Sequence, residues 1–315
     1  ATSYIDDFEG SQSTIDMRSP QAWSLASVPL EGAFDGEITA NEPPVDVLNV
    51  GFKRAKLSWY SIDPVFYIEP PSGISDNDLS FNKTRRIFSR ELYPITDIAQ
   101  GQSTVISTLD LTYYPKDRGP YNFNTSLAAT NQFTDAEAPE NWGGIMRAIN
   151  STNFEQSNVE YIQFWLMDPY YGNPGDVSDP TNTGKIVFNL GEISEDILRD
   201  GRKSLENGLP ANEDPSKYDE TSWGRVTKLQ PVIQAFDNDP VARRAQDVGL
   251  DGLSNANEKA KFAALISQIT AQLNPDAALA FSNDPSSDDY SYFRGGNLDN
   301  TNAGILERYK NFNGP

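Results

Sequence analysis

The sequence predicts a mainly β fold. We expect a jelly-roll-like β-sandwich with long loops over residues 1–230, then a helix-containing extension over 231–315. Three observations predict it. Short apolar runs of strand length are separated by long stretches rich in Pro, Gly, Asp and Asn. One run, VEYIQFWLMDP at 159–169, is apolar on both faces, as inner strands of a sheet are. After about Pro231 the texture changes, and the chain carries one clear helical period.

The elements follow in order. SYIDDFEG and AWSLASVPL are short apolar pieces divided by a polar loop. DVLNVGFKRAKLSWYSIDPVFYIEPP reads as one or two strands stopped by Pro70 and Pro71. In STVISTLDLTYYPKDRGP, Val105, Leu109, Leu111 and Tyr113 are assigned to one face, and Thr108, Asp110 and Thr112 to the other. NWGGIMRAI is a further strand. In the 159–169 run, Ile162, Phe164 and Leu166 alternate with Tyr161, Trp165 and Met167, which places it centrally. GKIVFNLG, from Gly184, is its expected partner across a polar loop. In the extension, Phe262, Leu265, Ile266, Ile269 and Leu273 fall at helical spacing. They predict an amphipathic helix over about 255–273, capped by Ser254 and stopped by Asn274-Pro275. The tail 276–315, rich in Asn, Asp, Ser and Gly, is expected to be extended and loop-rich.

Composition narrows the chemistry. The 315 residues include no Cys and no His. That excludes a disulfide framework, thiolate zinc and cysteine nucleophiles, and it removes the commonest general base. The net charge of −20 argues against nucleic acid and anionic lipid as ligands, and it suits calcium, which takes oxygen donors. No run approaches the roughly 20 apolar residues of a membrane helix. A chain that opens on Ala1 and closes on NFNGP is expected to be a processed protein or a segment of a longer one.

Of the acidic pairs, Asp6-Asp7-Glu9 and Asp288-Asp289 say nothing about a glycosidase, which needs carboxylates placed across a sugar. Glu195 and Asp196 follow Ser194 and read as acids in a capped first helical turn. Trp23, Trp59, Trp142, Trp165 and Trp223 are expected to pack in the core; if any is exposed to stack on sugar, Trp142 and Trp223, beside glycines, are the candidates.

DVGLDGLSNANE is more specific. With Asp247 as position 1 of an EF-hand-like loop, Asp251 is position 5, Gly252 the turn glycine and Glu258 the closing bidentate carboxylate. Leu253 offers its carbonyl, and Asn255 a side-chain oxygen, directly or through water. The departure is Gly249, where a carboxylate or amide is usual. A plain Asp/Gly turn before a helix is the competing reading. If calcium binds, the affinity expected is about 10⁻⁴–10⁻³ M, with Asp237 and Asp239 as further oxygen donors.

Long strings in fixed order carry a family resemblance. YIDDFEGSQSTIDMRSPQAWSL, FKRAKLSWYSIDPVFY, LDLTYYPKDRGPYNFN, NVEYIQFWLMDP, FNLGEISEDILRDGRKSLENGLP and AFDNDPVARRAQDVGLDGL resemble consecutive segments of the SprA/Sov family, from Tyr4 to about Asn313. That family is the outer-membrane translocon of the type IX secretion system of Bacteroidota, also required for gliding motility. The resemblance implies a soluble segment of a much longer β-barrel chain, non-catalytic and not itself membrane-inserted. It implies an outer-membrane location in the cell envelope, with the extracellular cap side favoured. Its implied partners are the rest of the barrel, a PorV-type shuttle, a periplasmic plug and secreted cargo. The isolated segment is expected to be monomeric, with 184–210 as scaffold ordered by Arg199, Arg202 and Lys203. The rival is a carbohydrate-binding or adhesive module, which an exposed aromatic row would favour.

Overall fold

The longest ladder joins β2 (Ala55–Tyr60) to β5 (Asp110–Arg118), antiparallel, with Leu57 opposite Tyr113 and Trp59 opposite Leu111. The computed structural model describes residues 15–28, 47–95, 97–149, 161–168, 184–202, 209–210, 214–228, 239–240 and 249–313. Three smaller antiparallel pairs complete the strands of the described residues: β1 (Ser24–Leu25) with β6 (Ile145–Met146), β3 (Ile87–Phe88) with β4 (Val105–Ile106), and β7 (Tyr218–Glu220) with β8 (Arg225–Thr227). Each sheet has two strands.

Short antiparallel strand pairs are present as predicted, but among the described residues they do not clearly make a β-sandwich. Of the described residues 26% are helical and 14% are in strands, and their sheets are two-stranded ribbons. The segments expected to be central strands explain the difference. Residues 161–168 and 184–190 form no ladder among the described residues and are exposed, with Trp165 at 68%. The rings of Phe164 and Phe188 lie 5.6 Å apart between them. A short apolar run fixes neither its pairing nor its burial, which depend on what lies beside it.

The predicted alternation of Leu111 and Tyr113 with Asp110 and Thr112 is present along β5. Leu111 and Tyr113 share the outer face, and Thr112 turns inward to share a 2.8 Å hydrogen bond with the Tyr60 hydroxyl. Burial pushes the neighbouring Asp110 carboxyl up, and a hydrogen bond from Thr108 resists the change. Ser194 does not start a helix either. Its hydroxyl accepts the Asp196 N–H, and the Asp196 carboxylate accepts the N–H groups of Asp200 and Gly201, closing a turn.

The helices of the first part are short: α1 (Val65–Ile68), α2 (Asp76–Ser80) and α3 (Ser89–Leu92). The predicted helix of the extension is present as α4 (Asn255–Lys261) and α5 (Ala263–Thr270). They are divided at Phe262, whose backbone (φ −96°, ψ 17°) leaves the helical range as its ring packs 4.8 Å from that of Phe123. Ser254 has cap geometry but makes no side-chain cap bond.

The tail, expected to be extended, is largely helical. It holds α6 (Pro275–Asn283), α7 (Gly296–Asn300) and α8 (Ile305–Tyr309). The Asn and Gly residues that suggested loops stand at helix starts. Asn274 accepts the Ala277 N–H at 2.9 Å, ahead of Pro275 in the first turn.

Two clusters form the core. The larger gathers Trp59, Tyr121, Phe123 and Trp223 with Leu253, Phe262, Ile269 and Phe281, so residues on both sides of Pro231 share it. The smaller stacks Tyr60, Phe66, Phe293, Ile305 and Tyr309. The helical stripe is thus covered, with Phe262 and Ile269 buried and Leu265, Ile266 and Leu273 partly so.

Trp142 and Trp223 are buried, against the expectation that any exposed tryptophan would be one of these. The Trp223 indole N–H donates to the Leu198 carbonyl at 2.7 Å. The adjacent glycine serves close packing instead of a surface turn: a Cβ on Gly224 would stand 1.9 Å from the Asp251 carbonyl oxygen. Among the described residues, no helix is long and apolar enough to cross a membrane.

Candidate functional site

Three acidic side chains meet beneath the surface. Asp251, Glu258 and Asp288 each place a carboxylate oxygen within 4.8 Å of the others, and their exposures are 1%, 1% and 5%. Asp251 lies in the turn before α4, Glu258 in its first turn, and Asp288 in the irregular segment after α6.

The local backbone brings them together. Gly252 sits at φ +71°, and a Cβ there would lie 2.2 Å from the Arg225 carbonyl oxygen, so the turn requires glycine. This sharp turn sends Asp251 back towards α4, and its Oδ1 accepts the Leu253 N–H at 2.9 Å. Ser286 bridges the other two elements. Its hydroxyl donates to Asp251 Oδ2 at 2.9 Å and its backbone N–H to Glu258 Oε2 at 3.0 Å. Asp288 Oδ2 accepts the Tyr121 hydroxyl at 3.0 Å, and its own N–H donates to Asp284.

Glu258 Oε1 has no hydrogen-bond partner although it is buried. Burial, reinforced by the charge of Asp251, pushes the Glu258 carboxyl up to about 8, against the pull of the Ser286 N–H. Two buried cations feel the cluster. Arg118 is lowered to about 10 by burial, with Asp284, Glu258 and Asp288 holding it up. Lys56 is lowered to about 8 by burial, with Asp284 and Asp288 opposing. Arg118 does not neutralise the acids directly. It donates to the carbonyls of Asn122, Pro285 and Asp284 and lies 4.3 Å over the Phe281 ring.

Of the loop read as EF-hand-like, two carboxylates lie together among the described residues. Asp251 and Glu258 converge. Leu253 is buried with its N–H engaged by Asp251. The Asn255 side-chain nitrogen donates to Asp289 at 3.1 Å, and its oxygen is buried without a partner. Asp247 and Asp237 lie outside the described residues, as do Asp6, Asp7 and Glu9 of the acidic groups. Asp288 was missing from the sequence-based donor set. Its adjacency to Asp289 marked it as acidic, but no local spacing links it to Asp251. Of the basic residues expected to order 184–210, Arg202 pairs with Asp219 at 3.2 Å, and Lys203 lies outside the described residues.

Away from this cluster, the chain presents Tyr161, Ile162, Phe164, Trp165 and Leu166, with Ile186, Phe188, Leu190 and Ile193, as exposed apolar side chains. A buried all-oxygen cluster can hold a hard cation or a proton, and an uncovered apolar stretch can take up a protein surface. No family model matches the chain, and no curated protein matches it.

Proposed function

We propose that the chain is a non-catalytic structural and docking module of a type IX secretion outer-membrane translocon. The reading rests on the ordered resemblance to the SprA/Sov family. The structural observation that supports it is the uncovered apolar pair, 161–168 and 184–193. Both segments alternate apolar side chains on two sides, and neither is in a ladder among the described residues. Such a segment is completed by a neighbour that supplies strand edges and an apolar cover together. A β-rich chain does this, and the occupant we infer is the surrounding translocon chain, on the extracellular cap side.

The exposed aromatics do not favour the carbohydrate-binding rival. Tyr161, Phe164, Trp165 and Phe188 are interleaved with Ile162, Leu166, Ile186 and Leu190, and they do not lie on a sheet. A sugar platform needs a flat aromatic row with polar groups around it, whereas mixed aliphatic and aromatic surface fits protein contact.

The test is made in the parent chain. Trp165→Glu with Phe188→Glu should abolish cargo export and gliding while leaving the fold of this isolated segment intact by circular dichroism. Export at native levels, or glycan binding by the isolated segment that the double change removes, would overturn the reading.

A further inference from the structure

We propose that a cleft between α1, α2 and β3 takes up the C-terminal residue of a partner protein. Arg86 holds its carboxylate, and Tyr67, Leu79 and Phe88 surround an apolar last side chain. The cleft measures roughly 190 Å³ and is lined by these four residues and Arg85. The inference is independent of the translocon reading.

The segment KTRRIFSR, residues 83–90, holds four cations and no acid in a chain whose net charge is −20. It is a positive island that draws in an anion which the chain as a whole repels. Its frame is fixed from both sides. The Tyr67 hydroxyl donates to the Thr84 carbonyl. Glu91 accepts the Phe88 N–H at 2.9 Å, and it accepts both terminal nitrogens of Arg85 at 3.0 and 2.9 Å. Arg85 is thus occupied by a two-pronged pair within the chain.

Arg86 is not. Its half-buried guanidinium lies 5.0 Å over the Tyr67 ring and 5.8 Å from the centre of the Phe88 ring. No carboxylate or carbonyl among the described residues takes its N–H groups. Stacking uses the flat face of the guanidinium and leaves its edge, along which the donors point, open. An open edge of this kind matches a planar two-oxygen anion, which is a carboxylate. The rings already order the side chain, so binding costs less entropy than at a free arginine.

Charge, walls and size select the occupant. One open guanidinium balances one negative charge, whereas a phosphate group brings about 1.5–2. The walls are apolar, with Phe88 42% exposed and Leu79 partly so, and they call for an apolar side chain beside the anion. Sites for drug-sized ligands measure about 300–1,000 Å³, so this cleft holds a single residue. At a chain end the carboxylate and the side chain leave the same Cα, and both enter together. Along an extended chain, neighbouring side chains point to opposite faces, so an internal Asp or Glu does not bring its apolar neighbour with it.

The experiment uses the 315-residue chain, isotope-labelled, and the tripeptide acetyl-Ala-Ala-Leu with a free carboxylate. Binding is followed by nuclear magnetic resonance through the N–H signals of residues 84–90. The peptide should give saturable shifts with a Kd of about 1 mM or below. Its C-terminal amide should bind about tenfold more weakly or worse, because a charged hydrogen-bonded pair is lost. Arg86→Gln should weaken the acid by a similar factor, and Arg86→Lys, which keeps the charge without the fork, should recover part of it. Lys259→Gln, on α4, should bind as the native chain does. Should Arg86→Gln fail to fold by circular dichroism, Phe88→Ala removes one exposed wall and keeps the charge; it should weaken the acid about threefold or more. The proposal is overturned by no saturable shift up to about 10 mM peptide, by equal binding of acid and amide, or by native-like binding in Arg86→Gln or Phe88→Ala. Displacement of the peptide by inorganic phosphate at about equal concentration would overturn it as well, and would make the cleft a phosphate site.

Discussion

Tyr121 and Asp288 stand 167 residues apart in the chain and meet through a 3.0 Å hydrogen bond from the phenol to the carboxylate. The same hydroxyl accepts the Leu250 N–H. One buried oxygen atom therefore ties the strand-rich part, the turn before α4 and the tail. Tyr121→Phe keeps the ring, which packs edge-on 5.8 Å from Trp223, and removes both bonds. The cost expected is about 1–3 kcal/mol, because buried polar groups lose their partner without regaining water. Urea unfolding measures it, and a loss below about 0.5 kcal/mol would show that the link contributes little.

Gly252 and Gly101 separate two reasons for glycine. Both lie at positive φ, +71° and +89°, but a Cβ on Gly252 meets the Arg225 carbonyl oxygen at 2.2 Å and one on Gly101 meets nothing within 4 Å. Gly101→Ala should cost about 1 kcal/mol, from backbone strain alone. Gly252→Ala should cost clearly more, since the β8 backbone must also move. Equal losses in denaturant midpoint would mean that the close approach at Gly252 is relieved at no cost.

The helix of the extension provides the packing test. Ile269 is fully buried in the larger core, while Leu279 on α6 is 62% exposed. Ile269→Ala should destabilise by about 2–5 kcal/mol through lost burial and the cavity left behind. Leu279→Ala should stay within about 0.5 kcal/mol, as exposed substitutions do. Similar effects at the two sites would place the stripe on the surface.

These contrasts show which features the sequence made legible. The stripe from Phe262 to Leu273 was readable because helical period and burial agree along it. So was the glycine turn before α4, where the spacing from Asp251 to Glu258 is local. Which face of β5 turns inward was not, because a threonine facing inward looks polar until the Tyr60 hydroxyl that it meets is known. Nor was Asp288, whose role depends on a contact between distant parts of the chain. The apolar run at 161–168 has strand composition, yet composition names no partner, and none pairs with it among the described residues.

Lys56 gives the pH test. It lies on β2 and is buried, and burial lowers its amine from 10.5 to about 8, with Asp284 and Asp288 opposing the fall. Below pH 8 the residue is charged in both folded and unfolded chains, and folding bears the cost of burying it. Between about 8 and 10.5 the unfolded chain holds the proton and the folded one has released it. Stability therefore rises with pH across this window, by an amount on the order of 3 kcal/mol for this group alone. Tyrosines such as Tyr60, raised by burial, act in the opposite direction, but only as unfolded phenols ionise near pH 10. Lys56→Met has similar volume and no charge. It should be the more stable chain at pH 7, with the advantage shrinking steadily from pH 8 to 9.5. Measuring both chains in chelator keeps divalent cations from altering the charge at Asp288. If the two stability curves run parallel over that range, Lys56 is not buried as a charged amine and its place in the fold has been misread.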